Sequence, residues 1–315
     1  MESTLKTQPL KKNIRVAILG ARGSFHELAA VKYFTPFQVL EDTTIHYIEC
    51  TAFKDVFRLL MNGEADFGIT AIENTVAGTI LPNYAMLRNS KAKVIGEVYL
   101  HIQQNLLTLK GQTINDITEV HSHPMAILQC QNFFEKYPHI RLVEAEDTAG
   151  SAKKISEKNL KHIGAIAGTH VAKLYNLEVI AESIETHKKN FTRFLIIQNH
   201  HPPSPTRKGE ENLQTLPLGS GQLVNKSSLY FTVIHQKGSL AKVLTQLAEH
   251  DINLTKIQSL PIVGREWEYY IHVDMEFDDY SNYQSALAAI KPSISEINIL
   301  GEYKQGEKYE TVNRL

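Results

Sequence analysis

The sequence predicts two α/β domains joined by a segment without regular structure. Between residues 14 and 197, short apolar strands alternate with helical stretches, a pattern typical of a mostly parallel sheet. From residue 228 onward the predicted order is strand, helix, strand, strand, helix, strand, which is the ferredoxin-like arrangement. Residues 199–227 are rich in proline, glycine, serine and charge and show no sustained periodicity, so we expect a linker or a long loop.

The N-terminal domain is predicted from strands that alternate with helices. A short apolar strand over residues 15–19 is followed by a helical stretch from His26. Apolar residues recur at helical spacing from Phe53 to Leu60, and Gly63 ends that helix. The remaining strands are predicted over 67–72, 117–120, 141–145, 163–167 and 194–197, with helices that follow from Pro82, Pro124, Asp147-Thr148 and Gly168-Thr169.

The C-terminal domain carries its own alternation of strands and helices. Gly238-Ser239 precedes a helix with apolar residues from Leu240 to Leu247. A ferredoxin-like sheet leaves one face free, and two such sheets often pair, so we expect a homodimer or a homotetramer. The strands are predicted over 229–235, 252–263, 268–277 and 296–300, with a second helix over 283–290.

The composition is that of an ordinary globular protein. The chain has 315 residues, of which 43% are hydrophobic and 21% charged, and its formal net charge is −1. This balance predicts no nucleic-acid partner and no membrane partner. Two cysteines, an N-terminus without an apolar signal segment, and no run of about 20 apolar residues favour a reduced, cytoplasmic protein.

Polar residues cluster where the predicted strands of the N-terminal domain end. Ligands of open α/β sheets bind outside the carboxyl ends of the strands, and the N–H groups of the helices that follow favour anions. Each such end is also typical of an ordinary helix cap, but five of them in one domain favour a pocket for a small anion. The five ends are residues 20–24, Glu73-Asn74-Thr75, Ser122-His123, Asp147-Thr148 and Gly168-Thr169.

The sequence contains no recognisable motif for a metal, a nucleotide or an activated serine. Its close histidine pairs, His121-x-His123 and His200-His201, lack further ligands at metal-binding spacing. Gly20-x-x-Gly23 matches neither type of nucleotide-binding glycine loop, and there is no Gly-x-Ser-x-Gly motif. The residues alone leave two alternatives, a cofactor-free enzyme or a small-anion binding protein, each with a ferredoxin-like regulatory domain.

Seven segments carry motifs in a specific order and spacing: GARGSFHELAA (20–30), AIENTVAG (71–78), SHPMAILQC (122–130), DTAGSAKKI (147–155), NFTRFLII (190–197), GSLAKVL (238–244) and NLTKIQSLP (253–261). Together they resemble the prephenate dehydratase family with its C-terminal ACT domain, over residues 14–302. The resemblance implies a two-lobed, periplasmic-binding-protein-like catalytic domain over 14–198, a linker over 199–227 and an ACT regulatory domain over 228–302.

The resemblance implies a carbon–oxygen lyase of L-phenylalanine biosynthesis. The family converts prephenate to phenylpyruvate, water and carbon dioxide, without a metal or an organic cofactor. Its essential threonine falls on Thr192, which would donate a proton to the departing hydroxyl. Asn74, Ser122 and Gln129 match other active-site positions, although Gln129 also fits the surface of a helix. Two other functions remain open: arogenate dehydratase, and a non-catalytic two-lobed sensor of small anions.

Further residues are predicted to hold the substrate. Arg193 would bind a carboxylate or pair with Glu73, while Thr148 and the Gly168-Thr169 turn would offer backbone N–H groups. As alternatives, Thr148 is only a helix cap and Phe25 only a core residue. The predicted substrate-binding set is Ser24, Phe25, Glu73, Thr75, Thr148, Gly168, Thr169, Arg193 and Phe194.

The sequence departs from the family pattern at several positions near this site. Met125 replaces a glutamine and removes one amide, so we do not expect a polar contact there. Ser24 replaces a threonine and keeps the hydroxyl. The other departures are Ala21 and Ala71, each in place of a proline, and His26 in place of a serine.

The ACT domain of the family binds phenylalanine at the interface of a domain pair. Here the second motif reads Gln258-Ser259-Leu260-Pro261, without the usual glutamate and arginine. An amino acid that is held by backbone groups is less affected by such substitutions than one that is held by side chains. We therefore expect L-phenylalanine to bind as allosteric effector with altered affinity. The predicted effector residues are Gly238, Ser239, Leu240, Asn253, Leu254, Gln258 and Ser259.

Overall fold

A computed structural model describes residues 13–41, 44–199, 224–234 and 236–307, with side chains described outside 37–43. Within these ranges the chain forms two compact units. The first, called the N-terminal unit, holds residues 13–86 and 98–196. The second, called the C-terminal unit, holds residues 87–97 and 197–306. Most of the predicted linker lies outside the described residues, and the predicted domain boundaries stay predictions.

Fifteen strands and nine α-helices are assigned within the described part of the chain. The strands are β1 (Asn13–Leu19), β2 (Thr44–Cys50), β3 (Phe67–Asn74), β4 (Gly78–Thr79), β5 (Ala92–His101), β6 (Asn105–Thr108), β7 (Glu119–Ser122), β8 (Arg141–Glu144), β9 (Ile163–Ala167), β10 (Glu178–Ala181), β11 (Phe191–Asn199), β12 (Lys226–Val233), β13 (Asn253–Pro261), β14 (Tyr269–Glu276) and β15 (Ile294–Tyr303). The helices are α1 (Phe25–Glu41), α2 (Phe53–Met61), α3 (Leu81–Asn89), α4 (Pro124–Gln129), α5 (Gln131–Phe134), α6 (Thr148–Glu157), α7 (Thr169–Leu174), α8 (Ser239–Glu249) and α9 (Tyr280–Ile290).

Two separate sheets form the two lobes and confirm the predicted α/β fold class. The first has the order β2-β1-β3-β11-β5, and the second has the order β10-β6-β9-β7-β8. The second sheet is mixed rather than mostly parallel, because β6 runs antiparallel to both β9 and β10. Five strands were not predicted from the sequence: β2, β4, β5, β6 and β10. The last two are four residues long, too short for a periodic signal.

The chain crosses between the two sheets and then returns. It leaves the first sheet after β5, builds the second sheet, and comes back as β11, which lies between β3 and β5. Thr75, which follows β3, is hydrogen-bonded to the first residue of β11, since its backbone N–H donates to the carbonyl of Phe191 at 2.9 Å. The start of β11 therefore lies beside the end of β3.

The first turn of α1 carries a buried histidine. The ring of His26 packs edge-on against Phe194 of β11 at 5.0 Å and against Phe53 of α2 at 5.5 Å. Its Nε2 atom is buried and has no hydrogen-bond partner among the described residues. Burial therefore lowers the pKa of His26 from 6.5 to about 3, because a charged ring there would lose its hydration.

The C-terminal unit contains the predicted strand–helix–strand–strand–helix–strand order. Its sheet has the order β13-β14-β12-β15. One face packs against α8 and α9 through a core that includes Phe231, Val243 and Tyr283. His235, which the sequence analysis placed in the first strand, lies outside the described residues.

The opposite face of this sheet is polar and also buried. Lys226 is 0% exposed, and its Nζ lies 3.0 Å from Glu97 Oε1 of β5 and 3.3 Å from Glu276 Oε1 of β14. Gly301 permits the close approach of β5, since a Cβ there would lie 2.0 Å from the carbonyl oxygen of Val94. A buried ion pair thus replaces apolar packing on this face.

None of the helices in the described ranges is long and apolar enough to cross a membrane. Cys50 and Cys130 are free thiols buried inside the N-terminal unit.

We expect Lys226→Met to lower the free energy of unfolding by about 3–5 kcal/mol, because it removes the Lys226 ammonium from beside the buried Glu97 carboxylate. The double variant Lys226→Met/Glu97→Gln removes both charges and keeps an acceptor for the backbone N–H of Gly306, which bonds Glu97 Oε1 at 3.1 Å. Urea unfolding should find it more stable than Lys226→Met alone. Equal stability of the two variants would contradict this account.

We expect His26 to make stability depend on pH. The folded protein keeps the ring neutral down to a pKa of about 3, whereas the unfolded chain takes up a proton near 6.5. Above pH 6.5 the ring is therefore neutral in both states, and His26 causes no loss of stability. As the pH drops from 6.5 towards 3, the unfolded chain binds the proton and the free energy of unfolding falls by up to about 1.4 kcal/mol per pH unit. Urea unfolding at pH 7.5, 6 and 5 should show a steeper loss for the wild type than for His26→Gln. Parallel curves would contradict the prediction.

Candidate active site

Thr192 and Asn74 form the centre of the candidate site. Thr192 is the second residue of β11, and Asn74 is the last residue of β3. The Nδ2 atom of Asn74 donates a hydrogen bond to Thr192 Oγ1 at 2.9 Å. Both side chains are 8% exposed, so this bond is largely protected from water and a ligand can still reach it.

The amide of Asn74 is held in one orientation by the turn that follows it. Its Oδ1 accepts hydrogen bonds from the backbone N–H groups of Val76 at 2.9 Å and Ala77 at 2.7 Å. A flipped amide would place its NH₂ group against these two donors. The hydrogen-bond network therefore assigns Nδ2 to the side of Thr192.

A chain of side-chain amides continues from Asn74 into the second lobe. Asn74 Nδ2 also donates to Asn190 Oδ1 at 2.7 Å, and Asn190 Nδ2 donates to Gln129 Oε1 at 3.0 Å. Gln104 Nε2 completes the chain with a longer bond of 3.4 Å to Gln129 Oε1. We call Thr192, Asn74, Asn190, Gln129 and Gln104 the amide chain.

Local structure explains how Gln129 reaches this chain. His123 caps α4, because its Nδ1 accepts from the backbone N–H of Met125 at 3.2 Å, and Pro124 begins the helix. Gln129 ends the same helix and is buried, so the surface alternative for this residue is excluded. The carbonyl of Gln129 accepts from the N–H of Thr186 at 2.8 Å, which anchors the helix end.

The amide chain favours Thr192 as a proton donor. The hydroxyl oxygen already accepts a hydrogen bond from Asn74, and its hydrogen makes no bond among the described residues. An O–H group whose oxygen accepts a hydrogen bond is polarised and becomes a better donor, more so in a poorly hydrated site. The geometry therefore matches donation from Thr192 to a ligand oxygen.

A second group of predicted residues lies where the two lobes meet at the start of α1. His170 Nε2 bonds the carbonyl of Gly23 at 2.8 Å, and the Tyr175 hydroxyl donates to the carbonyl of Arg22 at 2.6 Å. The ring of Phe25 packs edge-on against His170 with 6.0 Å between the ring centroids. Ser24 is buried, and its Oγ accepts from the N–H of Glu27 at 3.2 Å. The loop before α1 is therefore hydrogen-bonded directly to α7 of the other lobe and to the residue that follows α7.

The helices α6 and α7 begin as the sequence predicts. Asp147 caps α6 by accepting from the N–H of Gly150 at 2.6 Å, and Gly168 precedes α7. The backbone N–H groups of Thr148 and Thr169 make no hydrogen bond among the described residues. They remain available to an anion.

Ser122 and Thr75 lie outside the amide chain. The Ser122 hydroxyl donates to the carbonyl of Ile166 at 2.7 Å and so joins β7 to β9. Thr75 Oγ1 donates to the carbonyl of Lys189 at 3.0 Å and accepts from the N–H of Phe191 at 2.9 Å. These bonds hold backbone segments in place, so the structure supports a structural task for both side chains, and their predicted contact with substrate stays a prediction.

Strand alternation separates Arg193 from Thr192. Successive side chains of a strand point to opposite faces, so Arg193 lies on the face opposite Thr192 and Phe194. Glu73 lies on the face opposite Asn74 for the same reason. Arg193 is only 5% exposed and interacts with other groups of the protein. Both of its predicted roles, the pairing with Glu73 and the binding of a carboxylate, stay predictions.

Asn190 and Gln104 belong to the site but were not predicted from the sequence. Asn190 stands inside the segment NFTRFLII and could have been found from its place two residues before Thr192. Gln104 has no such signal, because the loop that carries it follows β5, which the sequence analysis did not predict. Its position is fixed by tertiary contacts, including the bond from its backbone N–H to Glu185 Oε2 at 2.8 Å.

The predicted effector residues divide into two sets within the C-terminal unit. Gly238, Ser239 and Leu240 line a cavity of about 560 Å³ at the start of α8. The other four lie on β13, at one edge of the sheet, and do not line this cavity. They are Asn253, Leu254, Gln258 and Ser259.

Comparisons with known proteins agree with this architecture. Residues 16–202 match the family model described as prephenate dehydratase. The bifunctional chorismate mutase/prephenate dehydratase of Aquifex aeolicus is 32% identical over 93% of this chain and 74% of its own length. The chloroplastic arogenate dehydratase/prephenate dehydratase 2 of Arabidopsis thaliana is 30% identical over 96% of this chain and 78% of its own length.

Among solved structures, the prephenate dehydratase of Arthrobacter aurescens in complex with L-Phe is similar to this chain. It superimposes with a TM-score of 0.74 at 25% identity, over 92% of this chain and 89% of that protein. The family model covers more than half of the chain, and the similarity extends over both units. The chain belongs to the prephenate dehydratase family.

Proposed function

We propose that this protein converts prephenate to phenylpyruvate, water and carbon dioxide, and that Thr192 is the proton donor. The observation that supports this most strongly is the buried bond from Asn74 to the hydroxyl oxygen of Thr192, at 2.9 Å. It leaves the hydroxyl hydrogen available to a ligand. A receptor that only binds an anion does not require a polarised donor of this kind.

The reaction needs only one proton at the leaving oxygen. The C–O bond at ring carbon 4 breaks as Thr192 donates its proton, and the hydroxyl leaves as water. The bond to the ring carboxylate breaks at the same time, its electron pair completes the aromatic ring, and carbon dioxide leaves. Thr192 then regains a proton from solvent. A positioned proton donor contributes about 10²–10⁴-fold to the rate, and orientation and electrostatics supply the remainder.

The second carboxylate, on the pyruvyl side chain, fits the anion-binding end of the cleft. Thr148 and Thr169 present backbone N–H groups at the starts of α6 and α7. Ser24 and Phe25 line the same region from the other lobe. We propose these N–H groups ahead of Arg193 for this carboxylate, because strand alternation puts Arg193 on the face of β11 opposite Thr192.

The second candidate substrate is arogenate, which carries an amino group where prephenate carries the keto oxygen. Two relatives, from Arabidopsis thaliana and Petunia hybrida, are named arogenate dehydratases, and the second is 31% identical over 92% of this chain. Turnover on both substrates, followed as phenylpyruvate and as phenylalanine, separates the two activities. Turnover of neither would favour the sensor.

We expect Thr192→Ala to lower kcat on prephenate by about 10²–10⁴-fold while the fold and substrate binding are retained, because only the proton donor is removed. Phenylpyruvate formation gives the rate, and calorimetric titration with prephenate gives the affinity.

Thr70→Val is the matched control for this substitution. Thr70 lies on β3 of the same sheet, and its buried hydroxyl has no hydrogen-bond partner among the described residues. Loss of this hydroxyl should leave kcat unchanged and preserve or increase stability. If Thr192→Ala keeps a near-normal kcat, Thr192 is not the proton donor.

We propose L-phenylalanine as the effector, bound at the cavity beside Gly238. The cavity joins the helix N-terminus of α8, which suits a carboxylate, to the apolar side chains of Val233 and Leu240. The predicted residues on β13 would then act from a second copy, in a homodimer or a homotetramer. The edge position of β13 and the 49% exposure of Ile257 support this pairing.

We expect Gly238→Ala to weaken inhibition by phenylalanine. Gly238 has φ +81, and an alanine in this left-handed conformation costs about 1–2 kcal/mol and distorts the loop that lines the cavity. Gly264→Ala is the matched control, since Gly264 has φ +82, lies outside the cavity lining and also has open space around its added Cβ. Turnover at increasing phenylalanine measures inhibition. No inhibition of the wild type at millimolar phenylalanine would end the effector proposal.

A further inference from the structure

Asn190 connects the two lobes at the candidate site. Its side chain is 0% exposed, so it does not reach a ligand in the cleft. Its Oδ1 accepts from Asn74 on the first sheet at 2.7 Å, and its Nδ2 donates to Gln129 on α4 of the second lobe at 3.0 Å. One amide therefore contacts a predicted site residue on each side.

The direction of each hydrogen bond in the amide chain follows from the turn after Asn74. The backbone N–H groups of Val76 and Ala77 fix the Asn74 oxygen, which directs the Asn74 NH₂ group towards Asn190 Oδ1. The Asn190 NH₂ group must then face Gln129, and the Gln129 oxygen must face Asn190. No partner remains for the other end of the Gln129 amide among the described residues. Its NH₂ group is therefore available to a ligand.

We propose that Asn190 is a positioning residue that sets both Thr192 and Gln129 for the reaction, without touching the substrate. It holds the Asn74 amide against Thr192 Oγ1, and it keeps the Gln129 NH₂ group, rather than the Gln129 oxygen, available to the substrate. The catalytic part of this inference rests on the proposed function. The geometric part concerns the protein alone.

Replacement by aspartate provides a specific test. An ionised carboxylate at position 190 can still accept from Asn74, but it faces Gln129 Oε1 with a second acceptor. Two acceptor oxygens at about 3 Å repel each other, so Gln129 must flip and direct its oxygen away from position 190. A protonated carboxyl group, in contrast, donates as the wild-type amide does. Burial raises the pKa of such a carboxyl group, so the two forms exchange within an accessible pH range.

We expect Asn190→Asp to lower kcat on prephenate by about 100-fold at pH 8 with little change in KM, because a displaced donor affects the chemical step and not the contacts that bind substrate. As the pH falls, kcat of the variant should rise relative to wild type. Asn190→Ala should show the low kcat without the rise.

Asn83→Asp is the matched control. Asn83 is also 0% exposed, and its Nδ2 donates to the carbonyl of Ala71 at 2.6 Å, so the same substitution again places a carboxylate against an acceptor. Both aspartate variants should lose stability. Measured at a temperature where each is folded, only Asn190→Asp should lose kcat with this pH profile.

A double-mutant cycle tests whether Asn190 acts through Asn74. The loss of kcat in Asn74→Ala/Asn190→Ala should exceed that of Asn74→Ala alone, because the bond from Asn190 to Gln129 is also lost, but it should stay well below the product of the two single losses. Multiplicative losses, or an Asn190→Asp variant within about twofold of the wild-type kcat, would overturn the proposal.

A substrate-free measurement separates this inference from the proposed function. In ¹⁵N–¹H spectra of the free protein, the side-chain NH₂ signals of Asn74 and Gln129 should shift in Asn190→Asp and stay in place in Asn83→Asp. If these signals shift but the protein turns over no prephenate, the proposed function is refuted and the positioning role is kept. Unshifted signals would refute the positioning role even in an active enzyme.

Discussion

The insertion of β11 between β3 and β5 is the constraint on which the site depends. This strand is the last of the first sheet in chain order, and it is added only after the whole second lobe has been built. Its backbone pairs at the point where β3 ends, so Thr192 meets Asn74 although 117 residues separate them along the chain. The candidate proton donor is thus held by a sheet and not by a flexible loop. Such rigidity favours a donor that must be placed accurately, because an alcohol is a weak acid.

The amide chain extends this constraint into the second lobe. Five polar side chains with little water around them would each be costly to bury alone, and the chain offsets the cost by pairing most of their donors and acceptors. Since the backbone of Val76 and Ala77 fixes the first amide, the orientation of the others follows. The same pairing that stabilises the buried groups therefore also determines which hydrogens remain for a ligand. Stability and function depend on the same bonds here.

The C-terminal unit uses its two sheet faces differently. One face packs two helices through aliphatic and aromatic side chains, as is usual for this arrangement. The other face buries Lys226 against Glu97 and Glu276, and Gly301 lets the backbone of β5 approach closely. A buried ion pair is rarely more stable than apolar packing of the same volume, but it is strict about geometry. It specifies how the segment with Glu97 is placed on the sheet.

Local patterns in the sequence are sufficient to predict the α/β class, the strand–helix order of the C-terminal sheet and, to within one residue, the carboxyl ends of β1, β8 and β9. These depend on local periodicity and on caps such as Asp147, which act over a few residues. The family resemblance added Thr192, Asn74 and Gln129, and the structure brings these three into one network. The two predicted roles of Arg193 stay predictions, and alternation along β11 already puts its side chain on the face opposite Thr192. The separation of Ser122 from the amide chain and the central place of Asn190 became visible in the tertiary structure. Each of these depends on contacts between residues that are distant in sequence, and local patterns carry no information about such contacts.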